Sequence, residues 1–213
     1  MKNNIYVISN DKIYKDNDNN LYGPNNDLDN ILSSLRSKYN IFLIARKTNK
    51  KNKFKLGKTK IFKKEYLAKD MKIFMVSLTP YNFFILFYFS FIKRLNISGH
   101  IYFRSDGFLE YKYRYGWLGY FIYFLMFMFV KKKLNFISCS KNFTNIQCDS
   151  IVYPSECDDE WFLHRKEPKL DEIHFLYVGR LTYDKGAEFL RFLFEYKNKN
   201  NFKFTIVGIE KDV

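Results

Sequence analysis

The stretch Ile173-His174-Phe175-Leu176-Tyr177-Val178 runs straight into Gly179-Arg180-Leu181-Thr182-Tyr183-Asp184-Lys185-Gly186. Its first six residues have the pattern of a buried strand, and the glycine-bounded octet is a turn. A helix pattern then opens near Gly186, with Ala187, Leu190 and Phe194 at helical spacing and Phe189, Phe192 and Leu193 widening the apolar face. Residues 203–207 read as a second strand ending at Gly208. Strand, glycine turn, helix and strand in this order predict a parallel βαβ unit.

The turn sets two cations, Arg180 and Lys185, beside the unpaired amides of a helix start. Those amides and the positive end of the helix dipole favour an anion; Arg adds a bidentate fork and Lys a point charge. Such a corner suits a phosphate or diphosphate. The same two residues also read as solvated charges in an ordinary βα turn.

Tyr177-Val178-Gly179-Arg180-Leu181 followed by Asp184-Lys185-Gly186 resembles the opening of the donor-binding domain of GT-B glycosyltransferases, in the large retaining group called family four. Ile151-Val152-Tyr153-Pro154-Ser155, with Asp158 and Phe162 after it, resembles the segment that closes the first domain of that family, and the two matches fall in the family's order. The resemblance implies that Gly179, Arg180 and Lys185 bind the diphosphate of a nucleotide-sugar donor. It covers residues 151–213 well and the remainder weakly. The family's glycine-rich loop after the first strand is replaced here by Ser9, Asn10 and Asp11, and the histidine that many members carry near residues 104–107 is absent.

Composition sets outer limits. The chain has 213 residues, of which 47% are hydrophobic and 20% aromatic, which excludes a disordered chain and allows one large domain or two small ones. The net charge of +14 favours anionic partners. The densest cationic run, residues 46–64, contains no acid and reads as a solvated basic loop or a membrane-facing patch. No zinc finger, RNP-like strand pair or basic zipper is present, so nucleic acid is not an expected partner. Cys139, Cys148 and Cys157 are odd in number and too widely spaced for CxxC ligation, which predicts reduced thiols and a cytoplasmic setting. Asp16-Asn17-Asp18 has the form of an acidic metal triplet but lies in an asparagine-rich loop, and no metal site is expected.

Along the chain, residues 5–9 read as a first strand, followed by a long polar loop to about Asn26 and a short helix with Leu28, Ile31, Leu32 and Leu35 on one face. Strands follow at 41–45, 72–77, 100–103, 136–138 and 151–153. Pro80 can open a helix carrying the apolar run 83–92, and residues 117–130 form another. Both runs fall short of the roughly 18 residues of a spanning helix. The second ends in Lys131-Lys132-Lys133, which would sit well on anionic headgroups, at the inner face of a membrane. The polar stretch 165–169 reads as a linker.

Arg104-Ser105-Asp106-Gly107 follows a strand end, where open α/β sheets bind ligands. There Asp106 could orient or deprotonate an acceptor hydroxyl and Arg104 could pair with an acceptor phosphate, with Ser105 also placed to touch substrate. Ser-Asp-Gly is also ordinary turn chemistry.

The expectation is thus a GT-B-like α/β protein: a Rossmann-like, doubly wound acceptor-side domain over 1–168, then the beginning of a truncated Rossmann-like donor domain over 169–213. By resemblance it transfers a sugar from a nucleotide diphosphate donor, used as substrate and not as cofactor, to a glycan or lipid-linked acceptor, with peripheral membrane contact and no metal. The chain stops before the region where the family carries its paired-glutamate motif, so as an isolated fragment it is expected to be inactive. The rival is a non-catalytic basic module docking on anionic membrane or nucleic acid, resting on residues 46–64 and 117–133.

Overall fold

The structure, a computed structural model, describes residues 2–24, 26–52, 54–143, 146–152, 163, 173–179, 181, 186–197 and 202–208. The chain divides into two compact units, Met1–Glu156 and Cys157–Val213. The expected closing segment Pro154-Ser155 with Asp158 and Phe162, the linker 165–169 and Cys157 lie outside the described residues.

The first unit is a mixed α/β layer structure with a mostly parallel sheet. Strands β1 (Asn3–Lys15), β3 (Tyr39–Lys47), β5 (Lys60–Ile61), β6 (Asp70–Val76), β7 (Asn96–Phe103), β8 (Asn135–Ser138) and β9 (Ser150–Ile151) lie parallel in the order β5-β3-β1-β6-β7-β8-β9. Helices α1 (Asn26–Arg36), α2 (Pro80–Phe87) and α3 (Gly107–Lys131) connect successive strands. Alternation along β1 explains the layering. Ile5 and Val7 join Leu28 and Leu32 of α1 in one core, while Tyr6 and Ile8 join Leu86, Tyr123 and Phe127 of α2 and α3 in the other. Helices therefore cover both faces, as the succession of strand and helix patterns predicts.

Two expectations are corrected. The polar stretch after Ser9 is no long loop: β1 slips its register against β3 between Ile8 and Lys12, continues to Lys15 and turns back into the antiparallel β2 (Leu21–Gly23). Buried Ile13 and Leu21 anchor this hairpin among polar neighbours, and Asp16 closes it by accepting from the backbone N–H of Asn20 at 2.7 Å. The basic run 46–64 likewise carries structure, namely β4 (Phe54–Leu56) antiparallel to β2 and β5 parallel to β3, with Leu56 buried beside Leu28.

Pro80 occupies the first turn of α2, where its missing N–H costs nothing, and Thr79 Oγ1 accepts from Asn82 N at 3.3 Å. The helix widens into a π-turn over Tyr88–Ile92. Helix α3 bends at Gly116, whose φ of 63° a β-carbon would disfavour.

In the second unit β10 (His174–Val178) and β11 (Lys203–Val207) pair in parallel, and α4 (Ala187–Lys197) lies between them in sequence.

Candidate functional site

Strand β1 sends its connection through α1 to β3 on one side, while β6 connects through α2 to β7 on the other. The chain therefore reverses direction between β1 and β6, and the carboxyl ends of those strands border the crevice where open α/β sheets bind ligands. A cavity of about 240 Å³ lies there, lined among others by Asn10, Ser77, Ser105, Glu110, Tyr111 and Arg114.

Ser77 is one of the few non-glycine residues with positive φ, at 64°. Its surroundings hold it there: its N–H donates to Tyr102 O at 2.8 Å, and the buried Asn82 Nδ2 donates to Ser77 O at 2.9 Å and Val76 O at 2.7 Å. A strained residue so held at a sheet's switch point is typical of a binding site. Nearby, Ser105 Oγ donates to Glu110 Oε2 at 3.1 Å, and Arg114 Nη2 meets Glu110 Oε1 at 2.9 Å. The crevice thus offers a hydroxyl, a carboxylate and a guanidinium in one connected set. Beneath them Tyr123 is buried and Tyr111 partly so; burial pushes both hydroxyls up, that of Tyr111 to about 12, so both stay neutral donors.

The three consecutive candidates Arg104, Ser105 and Asp106 separate. Only Ser105 lines this crevice. Arg104 turns toward α1, its Nη1 3.6 Å from Asp27 Oδ2 and its Nε donating to Ser77 Oγ at 3.4 Å, and it lines a different, more apolar groove. Asp106 is the N-cap of α3: Oδ1 accepts from Phe108 N at 3.0 Å and Leu109 N at 3.2 Å. The anion that the α3 N-terminus favours is therefore its own side chain. Glu110 and Arg114 went unnoticed in the sequence because an i,i+4 pair ordinarily reads as helix support.

In the second unit Gly179 follows β10 and Gly208 follows β11, and the N–H of Gly179 donates to Val207 O at 2.9 Å. A β-carbon on Gly208 would stand 2.5 Å from Gly179 O, so the two turns approach backbone to backbone. Gly186, at φ 76°, precedes α4. Arg180 and Lys185 lie outside the described residues. Cys139 and Cys148 are free thiols, and burial raises both pKa values. No cluster of metal-ligating side chains occurs among the described residues.

Compared with protein-family models, with curated proteins and with solved structures, the chain matches none.

Proposed function

We propose that this chain serves the transfer of a hexosyl group from a nucleotide diphosphate sugar to a glycan or lipid-linked acceptor, on a GT-B-type architecture. The observation that carries the proposal is the second unit's parallel βαβ arrangement, with Gly179 and Gly208 in backbone contact at neighbouring strand ends and Gly186 in the left-handed region just before α4. Glycines at such a place let a backbone approach a diphosphate closely, and the sequence sets Arg180 and Lys185 within that turn. In catalysis the two cations would stabilise the charge that develops on the leaving diphosphate.

The first unit supports an acceptor role. Glu110 can accept a proton from an acceptor hydroxyl, Arg114 can pair with an acceptor phosphate, and Ser105 and Asn10 supply further polar contacts. Arg104 would act from its own groove on the opposite side of Ser77.

Calorimetric titration of the full chain with inorganic pyrophosphate and with uridine, guanosine, adenosine and thymidine diphosphates tests the donor assignment, because the cationic turn is expected to grip the diphosphate whatever the base. Hydrogen bonds to charged groups contribute about 1.5–3 kcal/mol each, so the double variant Arg180→Ala/Lys185→Ala should weaken binding on the order of a hundredfold or more. Equal affinity in the double variant, or no diphosphate binding by the unaltered chain, removes the proposal.

A further inference from the structure

Residues 117–130 of α3 contain no charged side chain. One side of this segment is buried: Tyr123, Met126, Phe127 and Val130 pack on the sheet, with the Phe127 ring 5.2 Å from that of Phe136. The other side is just as apolar and faces outward, with Trp117 72%, Leu118 68%, Phe121 56% and Leu125 52% exposed. A helix on a water-facing protein surface normally turns a polar side outward, and an all-apolar one signals a second apolar environment.

The neighbouring arm continues the surface. Phe84, Phe91 and Ile92 of α2 and its π-turn are exposed, and the rings of Phe87 and Phe91 lie 5.7 and 5.6 Å from Phe129 of α3. Monomeric proteins in water seldom expose a joined apolar patch of this kind without a use for it.

Charge identifies the occupant. The sequence from 71 to 105 and from 111 to 148 has no acidic residue. The α2 arm ends in Lys93-Arg94 and α3 in Lys131-Lys132-Lys133. These clusters immediately precede the parallel strands β7 and β8, so both lie toward the amino-terminal end of those strands. At the other end, Lys112 Nζ stands 5.2 Å over the Trp117 ring. An apolar face with cations and aromatic rings at its rim matches the boundary between acyl chains and anionic headgroups. It does not match a second copy, since two-fold pairing would bring the same acid-free rims together.

We propose that the α2–α3 face docks the first unit on an anionic lipid bilayer, lying in the interface plane. Among the described residues no helix is both long and apolar enough to cross a membrane, and α3 keeps its other side on the sheet, which fits a helix lying along the interface. This docking goes beyond the sugar-transfer proposal and stands whether or not that proposal holds.

Sedimentation of the full chain with vesicles tests it, using phosphatidylcholine alone against phosphatidylcholine mixed with phosphatidylglycerol. Strong binding is expected only to the mixture. Phe121→Ser/Leu125→Ser should weaken it at least thirtyfold or so, from the apolar burial lost. Replacing Lys131, Lys132 and Lys133 by Gln should weaken it roughly a hundredfold and flatten its salt dependence. In a Trp161→Phe background the emission of Trp117 should shift to the blue and escape aqueous quencher on adding mixed vesicles, a readout on an otherwise unaltered surface. Three results would overturn the proposal: no binding to mixed vesicles, binding unchanged by the Phe121/Leu125 variant, or self-association in solution that this variant abolishes while vesicles are ignored.

Discussion

Asp106 separates two roles that its position at a strand end leaves in competition, and a pair of substitutions distinguishes them. As an N-cap its Oδ1 takes the N–H groups of Phe108 and Leu109 at 3.0 and 3.2 Å. Losing an N-cap costs about 1 kcal/mol, and losing a negative charge at a helix start about another 0.3–1 kcal/mol. Asp106→Ala removes both and should destabilise the fold by about 2 kcal/mol. Asp106→Asn keeps a carbonyl oxygen in place and loses only the charge, so its cost should stay near 0.5 kcal/mol. In a chain of this size that corresponds to a fall in Tm of about 4–8 °C for Ala and about 1–2 °C for Asn. Thermal denaturation followed by far-ultraviolet circular dichroism reads the difference. Equal losses for Ala and Asn, or none for Ala, would refute the capping account.

Gly99 sits in β7 opposite Ile73 at φ 136°, and a β-carbon there would run into the Ile73 backbone; Gly99→Ala should cost more than about 2 kcal/mol in urea unfolding, and a near-neutral result would contradict the register. Arg104→Gln breaks a 3.6 Å, one-third-exposed pair with Asp27 and a long, 3.4 Å hydrogen bond to Ser77 Oγ, so it should change stability by no more than about 1–2 kcal/mol; a larger effect on ligand binding would then mark Arg104 as functional. Tyr111 and Tyr123 have folded pKa values raised above the ordinary value of 10.0 by burial. Their neutral forms therefore add stability that is complete below about pH 10 and lost as pH rises toward 12. The urea midpoint should fall across that window, and Tyr111→Phe should flatten part of the fall; a midpoint constant to pH 12 would refute the assignment.

The central parallel strands β1, β3, β6, β7 and β8 were legible because each contains a short apolar run buried in the sheet, and α1 because Leu28 and Leu32 repeat at helical spacing and both reach zero exposure. The extension of β1 was hidden for a related reason. Beyond Ile8 its apolar positions thin to Ile13 alone, and the register slip against β3 absorbs polar Asn10 and Asp11, so local polarity mimics a loop while a hairpin partner supplies the hydrogen bonds. The basic run misled in the same way, since one buried residue, Leu56, is enough to seat β4 under α1. Tertiary pairing decides such segments, and pairing leaves little mark on a single short stretch of sequence.

Sites follow the opposite logic. Adjacency suggested that Arg104, Ser105 and Asp106 work together, but β7 ends at Phe103 and in the turn into α3 the three part into a groove, a crevice and a helix cap. Asn10, Ser77, Ser105, Glu110 and Arg114 are spread over more than a hundred positions and meet only because β1, β6 and β7 are neighbours in the sheet. Within that group Glu110 holds both Ser105 and Arg114, so these two side chains are already paired before any ligand arrives. An entering group must replace those bonds. A lone hydroxyl would free Ser105 at most, and a lone phosphate would take Arg114 while leaving Glu110 facing a second negative charge. A ligand carrying a hydroxyl beside a phosphate satisfies both at once, the hydroxyl donating to Glu110 as the phosphate accepts from Arg114. On the proposed acceptor role, a phosphorylated polyol should therefore bind the crevice more tightly than either group alone; competition between glycerol, inorganic phosphate and glycerol phosphate measures this, and equal affinities would refute it.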